Sequence, residues 1–86
     1  MRVDLALKRL LLVRSRSEAK EGCDVGAVTV NGVRAKASME VRSGDRIVVE
    51  YHDRSLEIEL VGDVGRNVSR VEAKTLYRVL RDEPSV

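Results

Sequence analysis

The sequence predicts an α+β domain: two short helices, about four short strands, then a last helix. Three observations carry that reading. Apolar residues first recur at helical spacing, at Val3, Leu7, Leu10 and Leu11. They then alternate, at Val28/Val30, Ile47/Val49/Tyr51 and Leu56/Ile58/Leu60. Two Ser-x-x-Glu capping boxes, Ser15 to Glu18 and Ser69 to Glu72, mark helix starts on either side of the alternating run.

In the first helix Asp4 reads as the N-cap, with Leu7, Leu10 and Leu11 on one face and Val3 just before it. Ser15 caps a second helix running to about Glu21, whose frayed end is bracketed by Gly22 and Gly26. Val28–Val30 and Val33–Ala35 form a hairpin around Asn31-Gly32, because both central positions of a two-residue turn need positive φ. Val41 anchors an irregular crossing, Gly44-Asp45 turns, and Ile47, Val49 and Tyr51 make the next strand. His52 to Ser55 is a polar turn before the strand of Leu56, Ile58 and Leu60, with Glu57 and Glu59 on its other face. The last helix begins at Ser69 and carries the stripe Ala73, Leu76, Tyr77 and Leu80, with Pro84 just past its end.

Composition narrows the chemistry. A chain of 86 residues is one domain that buries only about 60–65% of its unfolded surface. With no Trp or Phe, the core must be aliphatic. One cysteine and one histidine leave no disulfide and no structural zinc set, and Cys23 reads as a partly buried thiol. No apolar run approaches the roughly 18 residues of a membrane span, so a cytoplasmic protein is expected. No nucleophile–base pair is visible, and neither a catalytic residue, a metal nor a cofactor is expected. Charge is unevenly spread: residues 1–46 hold 10 Lys/Arg against 6 Asp/Glu, residues 47–86 hold 6 against 8. The basic excess permits RNA binding.

The candidate RNA-binding cations of that half are Arg2, Lys8, Arg9, Arg14, Arg16 and Lys20, with Lys36 further on. Arg16 stands at the first position of the second helix, against the positive end of its dipole. That placement costs about 0.3–1 kcal/mol in an exposed first turn, so Arg16→Glu should slightly stabilise the isolated domain. A basic helix alone is more often a solvated face, but a cation set against its dipole and a second, Lys20, one turn on suit an anionic partner. No exposed aromatic ladder is present, so phosphate contact and shape recognition of folded RNA fit better than base stacking.

Arg2-x-Asp4, Leu7-Lys8, Arg14-x-Arg16-Ser17-x-Ala19-Lys20, Gly26-x-Val28-x-Val30-Asn31-Gly32, Lys36-x-Ser38 and Gly44-Asp45-x-Ile47 resemble the S-four-type RNA-binding domain. The match covers residues 2–49, leaving 50–86 as an extension. Leu56–Val61 and Glu72-Ala73-x-x-x-Tyr77-x-x-Leu80 are similar to the tail of the RqcP family of ribosome-quality-control factors. A more distant likeness is to heat-shock protein fifteen. Departures are Ala27, where a basic residue is common, Ala37, where proline is common, and Ala6 in place of an aromatic residue.

The resemblance implies two helices on a small bent sheet; the protein is expected to be non-enzymatic and monomeric. It implies binding to ribosomal RNA and tRNA on a large subunit obstructed by peptidyl-tRNA, beside a companion factor that recruits alanyl-tRNA for tailing. Arg2 and Arg16 match arginines that touch ribosomal RNA in such relatives. Arg2, Lys8, Arg9, Arg14, Arg16, Ser17, Lys20 and Lys36 form the expected RNA-binding set. Rival readings are a heat-shock-type rescue factor and the detached targeting subunit of an RNA-modifying enzyme. A sulfur-carrier reading fails on the ending, which is not Gly-Gly.

Overall fold

The computed structural model describes residues 1–65 and 68–84. Its elements are α1 (Val3–Arg9), α2 (Arg16–Asp24), β1 (Val28–Val30), β2 (Val33–Arg34), β3 (Arg46–Glu50), β4 (Arg54–Leu60), α3 (Arg70–Thr75) and β5 (Tyr77–Pro84). The strands form one antiparallel sheet in the order β2-β1-β3-β4-β5. Alternation places Val28, Val30, Ile47, Val49, Leu56, Ile58 and Leu60 on the inner face, where all are buried. They pack in one cluster with Val3, Ala6, Leu7 and Leu10 of the α1 region and Ala19 and Cys23 of α2. Val41 is buried as expected, and Cys23 is fully rather than partly buried.

Both helices close by the same device. At the end of α2, Ala27 N donates to Gly22 O (2.8 Å) and Gly26 N to Cys23 O (3.1 Å), with Gly26 at φ 78°. This is a Schellman motif, in which a left-handed residue turns the chain and satisfies the last carbonyls. Gly22 therefore lies inside the helix, which runs three residues beyond the expected end. At the end of α1, Leu12 N donates to Leu7 O (3.0 Å) and Leu11 N to Lys8 O (3.0 Å).

There the left-handed residue is Leu11, at φ 61°. Its side chain is thrown outward, 55% exposed, and Leu12 takes the buried place that the helical stripe assigned to Leu11. A leucine in this region strains against its own Cβ by about 1–2 kcal/mol. Leu11→Gly should therefore raise stability, by about 0.5 kcal/mol after the lost leucine contacts. A lower urea midpoint for Leu11→Gly would show that those contacts outweigh the strain.

The hairpin turn is as expected, with Asn31 at φ 51° and Gly32 at φ 82°. Asn31 also reaches across the sheet: its amide donates to Asp45 Oδ1 (3.1 Å) and its oxygen accepts from Arg46 N (3.0 Å). Tyr51 ties the sheet to the helices, its hydroxyl donating to Leu12 O.

The C-terminal part differs from the sequence reading. Ser69 caps α3, accepting from Glu72 N (3.1 Å), but the helix has only six residues. Tyr77 and Leu80 are not on its stripe; they belong to an eight-residue strand that ends at Pro84. Tyr77 and Val79 pair with Leu60 and Ile58, and the register slips at Leu80, a bulge, before Arg81 meets Glu57. Cross-strand ion pairs Arg78–Glu59, Arg81–Glu57 and Arg54–Asp82 line β4 and β5. Strand pairing thus offers these charges partners that a longer helix would have left in water. Charge, bulge and terminal proline also make β5 a poor template for further strands.

Candidate nucleic-acid interface

Asp4 is where the two helices meet electrostatically. It is not the cap of α1: Arg2 occupies that position and makes no side-chain cap bond. Asp4 lies in the first turn, 1% exposed. Its Oδ1 accepts from Arg2 Nε (3.2 Å) and from Leu5 N (2.8 Å). Its Oδ2 accepts from Arg2 Nη2 (3.1 Å) and from Arg16 Nε (3.2 Å). Burial pushes this carboxyl upward, but the bonds from Arg16, Arg2 and the Leu5 amide outweigh it and leave it below its ordinary value.

Arg16 is therefore not an unanswered cation. Ser15 caps α2, accepting from Glu18 N (3.1 Å), which fixes Arg16 at the first helical position. From there its side chain reaches the Asp4 carboxylate of α1. That anion offsets the opposition to the helix dipole, so Arg16→Glu does not carry the stabilisation that the dipole alone predicts. Because the Asp4 carboxyl titrates low when folded, its contribution to stability is full above the unfolded value near 3.9. It is lost as pH falls through the folded value. In urea melts, the difference between the parent and Asp4→Asn should shrink as pH drops through that window. A constant difference would mean that the ion pairs contribute nothing.

The arginines themselves remain half exposed, 42% for the Arg2 side chain and 47% for Arg16. Lys36 belongs to the same neighbourhood, because its loop is bonded to the start of α1. Val3 N donates to Met39 O (2.8 Å) and Asp4 N to Ala37 O (3.3 Å). Ser17 follows Arg16, and Lys20 lies one turn along α2; both are exposed. The structure thus brings Arg2 and Arg16 together on Asp4, with Ser17 and Lys20 following on α2 and Lys36 on the loop bonded to the start of α1. Among the described residues, Lys20 and Lys36 make no ion pair.

The other three expected residues are placed differently. Lys8 is exposed on the last turn of α1. Arg9 is half-buried with its guanidinium 3.9 Å from the Met1 sulfur. Arg14 borders an open groove of about 1030 Å³ between the segment after α1 and α3, lined also by Leu11, Val13, Val71, Lys74 and Tyr77. Asp4 is the residue whose role the sequence reading missed. Its signal was present: a cation at an unfavourable helix position asks for a nearby anion. Among the described residues, no three His, Cys, Asp or Glu side chains cluster as a metal site. No described helix is long and apolar enough to cross a membrane.

A small sheet under two short helices, with paired arginines presented from both helix starts, defines a domain class that comparisons with known proteins make specific. The S4 domain model matches residues 1–47. The RQC P-site tRNA stabilizing factor of Halalkalibacterium halodurans is 40% identical over 98% of this chain and 94% of its own length. The factor of the same name from Bacillus subtilis is 34% identical over 96% of this chain and 95% of its own. The trimeric structure of Vibrio cholerae Heat Shock Protein 15 superposes with a TM-score of 0.83 at 31% identity. That superposition covers 92% of this chain and 80% of the other. The chain is a non-enzymatic RNA-binding protein of the S4 domain family, and within it belongs to the relatives named RQC P-site tRNA stabilizing factors.

Proposed function

We propose that this chain binds ribosomal RNA and tRNA on a large ribosomal subunit obstructed by peptidyl-tRNA, in the cytoplasm. The observation that carries the reading is the pair of half-exposed guanidinium groups, Arg2 and Arg16, fixed side by side with Lys20 and Lys36 near them. Guanidinium forks match phosphate oxygens bidentately, and the grouped cations span two helix starts and a loop. Such a surface suits the backbone of a folded RNA. The names of the relatives supply the context, a tRNA in the P site during ribosome-associated quality control.

The action is positional. The chain holds the tRNA-bearing subunit in one state while a companion factor brings alanyl-tRNA and the stalled peptide is extended. Arg2, Arg16, Ser17, Lys20 and Lys36 make the principal contacts, and Lys8, Arg9 and Arg14 extend the footprint along α1 and onto the groove. The acidic C-terminal part stays off the RNA, and the factor acts as a monomer.

The test is sedimentation of tagged protein with ribosomal particles. Enrichment on large subunits carrying peptidyl-tRNA, with loss of alanine tails when the gene is deleted, is expected. Enrichment with unchanged tails would favour a rescue role like that of a heat-shock relative. Absence from large subunits would end the reading. Affinity should also fall steeply with salt: about four phosphate contacts give a log–log slope near −3. A salt-independent interaction would mean that the grouped cations are merely solvated.

A further inference from the structure

We propose that Asp4 is a positioning residue for RNA recognition, setting the Arg2 and Arg16 guanidinium groups at one fixed separation and so selecting folded over unstructured RNA. The inference rests on the RNA-binding reading and assigns the selectivity of that site. Asp4 is fully buried, and a buried carboxylate is costly to desolvate. It also cancels one of the two arginine charges, so the trio Arg2–Asp4–Arg16 carries a single net positive charge. A surface selected only for attraction to phosphate would gain by losing Asp4.

What Asp4 contributes instead is geometry. Its Oδ2 is shared between Arg2 Nη2 (3.1 Å) and Arg16 Nε (3.2 Å), so two side chains from different helices are referred to one atom. Its Oδ1 is tied to the Leu5 amide of α1 at 2.8 Å, which refers that carboxylate to the backbone. Arg2 engages through Nε and Nη2, leaving Nη1; Arg16 engages through Nε alone, leaving both Nη atoms. Among the described residues those remaining atoms have no protein hydrogen-bond acceptor. Two arginine side chains immobilised before binding do not lose that freedom on contact. Phosphates that stand at the matching separation are therefore favoured, and a flexible strand must be ordered to supply them.

The experiment compares affinity for purified large ribosomal subunits with affinity for poly(U), using the parent protein and Asp4→Asn, which is nearly isosteric. For the folded variant, binding to large subunits should weaken roughly tenfold as the two forks lose their common reference. Binding to poly(U) should hold or rise by about twofold, because the variant gains one net positive charge. In a background of Arg2→Ala with Arg16→Ala, Asp4→Asn should weaken large-subunit binding no further, because no fork remains to be positioned. Folded Asp4→Asn protein that keeps the parent's preference for large subunits would overturn the inference, as would equal weakening toward both RNAs.

Should Asp4→Asn not fold, side-chain nitrogen spectra of the unbound parent decide. The Nε–H signals of Arg2 and Arg16 should persist near neutral pH, while that of exposed Arg14 averages with solvent. Fast averaging of both would overturn the inference. Failure of the underlying reading looks different: the parent itself would then show no preference for large subunits, or Arg16→Ala would bind as well as the parent.

Discussion

Arg16→Glu is expected to destabilise the domain by about 2 kcal/mol and to weaken large-subunit binding by about 100-fold or more. A helix-dipole argument alone gives the opposite sign for stability, since a glutamate at the first position of α2 suits the positive end. The structure decides against it. Asp4 lies buried within reach of that position and takes a hydrogen bond from Arg16 Nε at 3.2 Å. Breaking a buried pair outright costs about 3–5 kcal/mol because the remaining charge is stranded. Here Arg2 stays on the carboxylate and Arg16 is half exposed, which lowers the figure.

Charge reversal then adds repulsion between the introduced carboxylate and Asp4. Arg16→Ala should cost about half as much, since it removes the partner without adding a like charge. For binding, the reversal deletes a phosphate-matching fork and sets a carboxylate against RNA. Urea melts paired with sedimentation of both variants check the two halves separately. Arg16→Glu protein more stable than the parent would show that the dipole outweighs the ion pair. Arg16→Glu protein that binds like the parent would remove Arg16 from the RNA surface.

The same residue shows how far the sequence could be read. Its position on α2 was legible because Ser15-x-x-Glu18 is a local signal, and the serine arm of that box forms, Ser15 Oγ accepting from Glu18 N. The dipole conflict signals that an anion is near, but not which one, because Asp4 is 12 residues away and only the packing of α1 on α2 brings them together. The helix ends divide in the same manner. Gly26 announces the end of α2, since glycine is the ordinary residue of a left-handed turn. Leu11 makes the same turn after α1 with no such announcement, and at 3.6 residues per turn it continues the apolar stripe.

At the C-terminus Ala73, Leu76, Tyr77 and Leu80 fit a helical period, while Tyr77 and Val79 fit a strand. The choice falls to β4, whose edge offers a paired ladder and whose Glu57 and Glu59 receive Arg81 and Arg78. Non-local pairing is absent from any short window, so a local period could not decide it. The Arg2 and Arg16 resemblance pointed to two side chains that the structure does bring together on Asp4. Lys8, Arg9 and Arg14 lie apart from that pair, on the last turn of α1, beside Met1 and at the groove.

Ile58→Ala should be the costliest single truncation in the sheet, at about 3–4 kcal/mol. Ile58 is fully buried on β4, opposite Ile47 of β3 and Val79 of β5, in the layer beneath the helices. Removing three carbons there forfeits their transfer free energy and leaves a cavity that paired strands on both sides cannot close. For 86 residues total stability is expected at about 4–13 kcal/mol, so this loss brings a weak domain close to unfolding at growth temperature. Val79→Ala is the matched comparison. It sits at the same level of the sheet but is 51% exposed, and it should cost less than about 1 kcal/mol.

Function separates this prediction from the arginine one. The grouped cations lie at the N-cap of α1, on α2 and on the loop before Val41, none on β4 or β5. Ile58→Ala should therefore reduce large-subunit binding only in proportion to its unfolded fraction, with the salt slope of the folded fraction unchanged. Urea melts at low temperature and binding titrations at two salt concentrations measure both. A loss under about 1 kcal/mol would mean that the β4–β5 layer repacks freely. A changed salt slope in folded Ile58→Ala protein would mean that the sheet, and not the helix starts alone, sets the positions of the arginines.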